Sequence, residues 1–306
     1  MKTISNDKLT IKVKDHGAEL ASIISDGREY LWQADEAFWK RHSPVLFPIV
    51  GAVWNGEYRS HGETYKMGQH GFARDMDFTL IKESEDELRY RLASNDETKK
   101  KYPYDFCLEI GYRLVENSIK VMWHVENTGS ETMAFQIGAH PAFFWPMLTD
   151  EQIAGGVESM TAPLADTDLR GFFRLEAKER VMPVSVITEG GCVGREAQIE
   201  IDEEGYLPLD TDTFNNDALI FENSQVTKVT LCRQDKSPYL SLEFDSPLVG
   251  LWSPPGKRAP FVCIEPWYGR TDSVGFEGQY EEKAWMQKLE AGKTFDVSYS
   301  VIVHSS

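Results

Sequence analysis

The feature that most restricts this chain is its lack of a sustained helical period. Over windows of about 12 residues, only 281–290 approaches one. Short stretches of alternating apolar and polar residues dominate instead. They recur at 9–13, 18–24, 78–81, 87–92, 106–114, 118–126, 226–232, 239–244 and 295–303. Turn residues sit between many of them, at Ser25-Asp-Gly27, His61-Gly62 and Glu116-Asn117, as hairpins require. Further strands are expected at 30–32, 133–137, 199–201, 218–221, 248–252 and from Phe261 onward. Residues 45–50 are apolar but interrupted by Pro48, which predicts an irregular inward-lying stretch and not a central strand. Residues 147–180 are predicted as loops with short helical turns, and 34–41 as one such turn. Doubly wound α/β folds and β/α barrels need repeated strand–helix alternation, which is missing. No Pro/Gly/Ser linker and no internal repeat divides the chain. The expectation is all-β: one large antiparallel β-sandwich domain spanning 1–306.

Composition narrows the partners. The net charge of −17 opposes a broad surface for nucleic acid or anionic membrane. No apolar run approaches the roughly 18 residues of a membrane span. The first residues lack the apolar core of a secretory signal. The four cysteines (Cys107, Cys192, Cys232 and Cys263) are scattered without a C-x-x-C pair. They read as reduced, mostly buried thiols of a cytoplasmic protein, and no zinc site built from them is expected. P-loop, G-x-S-x-G, H-E-x-x-H and G-x-G-x-x-G motifs are missing.

Ionisable residues at strand ends carry the chemical signal. In Phe261-Val-Cys-Ile-Glu-Pro-Trp-Tyr-Gly-Arg270, a buried strand leads into Glu265, Pro266 and Trp267. A carboxylate there needs a partner, and an aromatic face lies beside it. That pairing suits a sugar, whose hydroxyls need acceptors and whose C–H face needs a ring. A structural ion pair is the alternative. Gln136-Ile-Gly-Ala-His-Pro-Ala-Phe-Phe-Trp-Pro146 repeats the design with His140, the side chain type best suited to proton exchange near neutrality. A satisfied structural histidine is again the alternative. In Gly68-Gln-His-Gly-Phe-Ala-Arg74, His70 and Arg74 flank Gly71, which would let backbone approach a ligand. A solvated loop reads equally well. Asp217 precedes an apolar strand, as a site residue or a plain turn residue. Trp252 and Trp267 are candidates for stacking on a sugar.

These stretches resemble the aldose 1-epimerase (galactose mutarotase-like) superfamily, in particular its LacX-type branch. The matching segments are Arg41-His-Ser-Pro-Val-Leu-Phe-Pro-Ile-Val-Gly51, His70-Gly-Phe-Ala-Arg74, Ile137-Gly-Ala-His-Pro-Ala-Phe143, Asn216-Asp-Ala-Leu-Ile220 and Cys263-Ile-Glu-Pro-Trp267. The resemblance implies a sugar on the concave face of the sandwich and neither cofactor nor metal. It implies Glu265 as general base, His140 as general acid, and His70, Arg74 and Asp217 as sugar-binding residues, with Trp267 added here as a stacking face. An imidazole and a carboxylate facing each other across a gap of one pyranose are expected. Ala52 stands where the family often has arginine, so Arg74 or Arg41 would supply that contact. The hexose-6-phosphate 1-epimerase branch shares His-Gly-Phe-Ala-Arg, which leaves a phosphorylated sugar as the alternative substrate. Its phosphate would be met by Arg74, Arg41 or Lys66. A carbohydrate-binding protein without turnover is a further alternative. A monomer and a homodimer are both compatible.

Overall fold

The computed structural model describes residues 1–165 and 168–304. Two large antiparallel sheets organise them. The first has nine strands. From one edge they are Tyr206–Leu209, Gly171–Ala177, Val226–Cys232, Pro238–Phe244, Thr294–Val303, Ser118–Asn127, Phe106–Val115, Glu87–Ala93 and Thr79–Glu83. The second has eight. Its order is Val193–Glu200, Val181–Ile187, Leu219–Phe221, Leu248–Trp252, Phe261–Tyr268, Ile137–Ala139 and Val45–Leu46, with Ala142–Phe144 also paired to Phe261–Tyr268. Four short strands within 2–29 form a sheet of their own.

Alternation is what drives the two sheets together. On Ser118–Asn127, Ile119, Val121, Trp123 and Val125 are buried while Lys120 is exposed. The inner faces meet through aromatic rings: Tyr268 lies 5.2 Å from Phe295, and Phe47 lies 5.0 Å from Phe106. This is the β-sandwich that the alternation predicts.

Several elements depart from expectation. Gly171–Ala177, Val181–Ile187 and Tyr206–Leu209 are strands, the first in a region whose sequence predicts loops and the other two where the pattern predicts no strand. Charged residues on the solvent side masked their period: Phe173 and Leu175 point inward, Arg174 and Glu176 outward. Pro183 is tolerated because Val181–Ile187 makes a single paired contact on one side, Ser185 with Ile220. The weak helical period at 281–290 resolves into a 3₁₀ turn, Tyr280–Glu282, and a strand, Gln287–Leu289. The segment 34–41 does form one turn, closed by Trp39 N–H to Asp35 O at 3.0 Å.

The strand expected at 133–137 breaks at Gln136. Met133–Phe135 pairs with Gln287–Leu289, and Ile137–Ala139 crosses to Phe261–Tyr268. Buried Gln136 makes the switch possible: its Oε1 accepts Val50 N–H at 3.1 Å, and its Nε2 donates to Ala284 O at 2.8 Å.

Glycines fix the floor of the second sheet. A Cβ on Gly250 would lie 2.5 Å from the Trp267 ring, and one on Gly138 would lie 2.6 Å from it. Trp267 therefore lies flat over two bare backbone positions. Gly250→Ala is expected to destabilise the protein by about 1–3 kcal/mol, since overpacking must displace the indole. Urea melts followed by tryptophan fluorescence check this; a variant with unchanged midpoint and spectrum would contradict the packing.

Candidate active site

The register of one strand pair builds the centre. Ile137 pairs with Tyr268, Gly138 with Trp267, Ala142 with Cys263 and Phe144 with Phe261. The same register carried through the break at Pro141 sets His140 opposite Glu265. His140 Nε2 lies 3.3 Å from Glu265 Oε2. Residues two apart on a strand share a face, so Cys263, Glu265 and Trp267 align, and the Trp267 indole N–H donates to Ala139 O at 3.2 Å.

His140, Glu265, His70, Arg74, Asp217 and Trp267 all line one cavity of about 380 Å³. That volume is within the range of small-ligand sites. The sequence therefore brings all six candidates together, but one expected detail is wrong. Glu265 and His140 do not face each other across a gap. They touch, side by side on one wall, because neighbouring antiparallel strands hold directly opposed side chains about 4.5–5.5 Å apart at Cβ.

Burial sets the charge of this pair. Glu265 is 1% exposed and His140 7%. Burial, with the Asp217 carboxylate adding to it, pushes the Glu265 carboxyl well above the ordinary carboxylate range. Burial also drives His140 down to about 3, and the Arg74 charge adds to that. Burial thus favours a neutral carboxylic acid beside a neutral imidazole, not the carboxylate–imidazolium pair expected from residue types alone. Glu265 Oε2 and His140 Nδ1 have no hydrogen-bond partner among the described residues.

The other residues surround this pair with donors and rings. His70 has φ 64°, and its Nδ1 accepts the Gly51 N–H at 3.0 Å. Burial keeps its imidazole neutral, so its proton sits on Nε2 as a donor. Gly71 serves a different purpose from the one expected: a Cβ there would lie 2.2 Å from Phe47 O, so the close approach is to the 45–50 segment and not to a ligand. Arg74 donates from Nη2 to Gln69 O at 2.6 Å, while its buried Nε is without a hydrogen-bond partner among the described residues. Burial and the neighbouring Arg41 bring its guanidinium down to about 10. Asp217 Oδ1 accepts the Ala218 N–H at 2.8 Å.

Arg41 pairs with Asp75 at 2.8 Å and does not line the cavity, though its charge acts on His70, Arg74 and His140, and Lys66 lines a separate surface depression. Lys257 does line the cavity, a residue in a Pro-Gly-rich turn that no local pattern singles out. Trp39 was also missed. Its ring lies 4.7 Å from that of His140 with planes 31° apart, and Trp252 meets the same imidazole edge-on at 5.4 Å. The only sequence signal was an aromatic pair, Phe38-Trp39, in a polar turn.

The family model described as Aldose 1-epimerase matches residues 1–301. The chain belongs to the aldose 1-epimerase family. Within that family it is similar to protein LacX of Lactococcus lactis subsp. lactis, 31% identical over 98% of both chains. Among solved structures, it is similar to a galactose mutarotase related enzyme from Lactobacillus acidophilus, with TM-score 0.87, 34% identity and coverage of 99% and 97% of the two chains. A galactose mutarotase-like protein from Lactobacillus casei gives TM-score 0.84 and 32% identity, covering 99% of this chain and 100% of that one. An Escherichia coli protein provisionally named a glucose-6-phosphate 1-epimerase is 28% identical over 43% of this chain and 50% of its own length. No helix among the described residues is long and apolar enough to cross a membrane.

The raised Glu265 carboxyl has a consequence for stability. A carboxyl raised by folding keeps its proton where the unfolded chain has lost it, so its contribution fades as pH rises above the unfolded value of about 4.3. Glu265→Gln removes that loss. The variant is expected to melt above the parent at pH 8, by a margin that shrinks toward pH 5. A margin that grows on acidification would contradict the assignment; differential scanning calorimetry across this range decides.

Proposed function

We propose that this protein is a single-domain mutarotase that interconverts the α- and β-anomers of an aldohexose. The observation that carries the reading is the contact between Glu265 and His140 at the wall of the cavity. Glu265 takes the proton of the anomeric hydroxyl and His140 gives one to the ring oxygen. The C1–O5 bond breaks and C1=O1 forms. The C1–C2 bond turns, and the two proton transfers run backward on the other face. One proton is taken and one is given, so no oxidant or leaving group is involved.

Adjacency suits this reaction better than the expected opposition. The anomeric and ring oxygens are bonded to the same carbon, so an acid and a base side by side reach both. His70 Nε2, Arg74 Nε and the Asp217 carboxylate fix the hydroxyls, and Trp267 or Trp252 covers the C–H face. Hydrogen bonds of this kind reject sugars lacking a hydroxyl more strongly than apolar contacts do.

A phosphorylated hexose is the second reading, favoured by Arg74 and Lys257 on one cavity. A single panel separates the two. Pure anomers of free aldohexoses and of hexose 6-phosphates are followed by polarimetry and NMR. Faster equilibration of a free hexose is expected. Preference for the phosphate ester would select the second reading, and spontaneous rates throughout would reject both. Glu265→Gln is expected to lower the rate by at least ~10²-fold with the fold retained, the usual contribution of positioned proton transfer.

A further inference from the structure

The strand that carries Glu265 places a thiol beside it. Cys263 lies two residues earlier on the same face, fully buried, at the position that pairs with Ala142. One ligand atom each from His140, Cys263 and Glu265 lies within 4.8 Å of the other two. Two of the three residues also carry buried polar atoms with no hydrogen-bond partner among the described residues, Glu265 Oε2 and His140 Nδ1. Both of those residues line the cavity, whereas Cys263 is buried outside its lining.

We propose that His140, Cys263 and Glu265 form a site for a borderline-soft divalent cation, with Zn²⁺ as the type, which sits at the inner edge of the cavity where His140 and Glu265 meet its lining, and which excludes the sugar. The donor set decides the class of ion. Nitrogen, sulfur and oxygen together suit zinc, whereas magnesium and calcium take oxygen alone. Three protein ligands with a fourth position open to a cavity is the arrangement of exchangeable zinc sites. Charge balance also fits burial. Thiolate and carboxylate together carry two negative charges, which the cation cancels. As the metal–sulfur and metal–oxygen bonds form, the thiol and carboxyl protons leave to solvent. Ligation ties up the proposed acid and base together. The inhibition rests on the mutarotase reading; the binding does not.

No sequence motif announces this site, because two ligands come from Cys-Ile-Glu on one strand and the third from a residue more than a hundred positions earlier. The test uses tag-free full-length protein titrated with Co²⁺, then competed with Zn²⁺. One equivalent is expected to bind, with a near-ultraviolet thiolate-to-cobalt charge-transfer band and the intense visible bands of four-coordinate cobalt. Zn²⁺ should abolish both. Cys263→Ser, and Cys263→Ala in case the first fails to fold, should lose the charge-transfer band and weaken Zn²⁺ at least tenfold. Cys192→Ser and Cys232→Ser should keep both properties. A missing thiolate band, or one that persists without Cys263, overturns the site.

In the activity arm, Zn²⁺ should raise the apparent KM for sugar without lowering kcat, reversibly with EDTA. Inhibition unaffected by sugar concentration overturns the exclusion. A cobalt spectrum as expected in a protein that accelerates no anomer exchange would instead sink the mutarotase reading and leave the metal site standing.

Discussion

Burying a carboxyl group without a full set of donors is the constraint from which this cavity follows. Glu265 is 1% exposed, and one of its oxygens has no hydrogen-bond partner among the described residues. Such a group is tolerated when it is neutral and when its surroundings cannot collapse onto it. The surroundings here are stiff. A continuous register on one side of Phe261–Tyr268 holds His140 in place, and Leu248–Trp252 pairs along the other side. Trp267 lies over Gly138 and Gly250, so the floor beside Glu265 is an indole plane and not a set of mobile side chains. Trp39 and Trp252 meet the imidazole from two directions. An orphaned polar atom that survives inside such packing is a natural target for a ligand hydroxyl or a cation.

The segment 50–54, whose Gly51 lines the cavity, depends on a second set of buried polar groups. Lys283 is 3% exposed and donates to Asp272 Oδ1 at 2.7 Å and to Arg270 O at 2.8 Å. Asp272 Oδ2 accepts the Trp54 N–H at 2.9 Å. Thr271 accepts the Ala52 N–H at 3.0 Å and donates to Gly191 O at 2.6 Å. Gly51 and Thr271 both face the cavity, so this network holds the wall from behind. Its internal pairing matters more than its net contribution to stability. Removing one partner of a buried pair leaves the other charge uncompensated, which is far worse than never having had the pair.

The fold and the candidacy of six residues that share one cavity were legible because each left a local signature. Strand ends that place an ionisable residue before proline and an aromatic occur twice, at His140 and Glu265, and both lie at the cavity. Gly71 was legible as a close approach, but the sequence cannot name the partner of that approach, which is the Phe47 carbonyl. The contact between His140 and Glu265 was illegible for the same reason. It depends on which strands are neighbours, a long-range property that alternation does not encode. Trp39 lies in an irregular turn, where no period marks a side chain as functional. Strands such as Gly171–Ala177 were hidden because their outward residues are charged and their inward ones few. Gln136 read as part of a strand, yet its amide is what lets the chain change sheets.

The neutral state of the acid–base pair bears on how the proposed reaction would run. A sugar in its ring form needs Glu265 as carboxylate and His140 as imidazolium at the start. Once the ring has opened, the two protons have moved, and the pair is a carboxylic acid beside a neutral imidazole. That second state is the one burial favours. Entry of a ring-form sugar replaces cavity water with hydroxyl donors that can bond the carboxylate, and such bonds offset part of the penalty on the charged form. Because burial favours the neutral pair before the reaction as well as at its midpoint, the hydrogen bonds of the bound sugar must offset the cost of charging the pair.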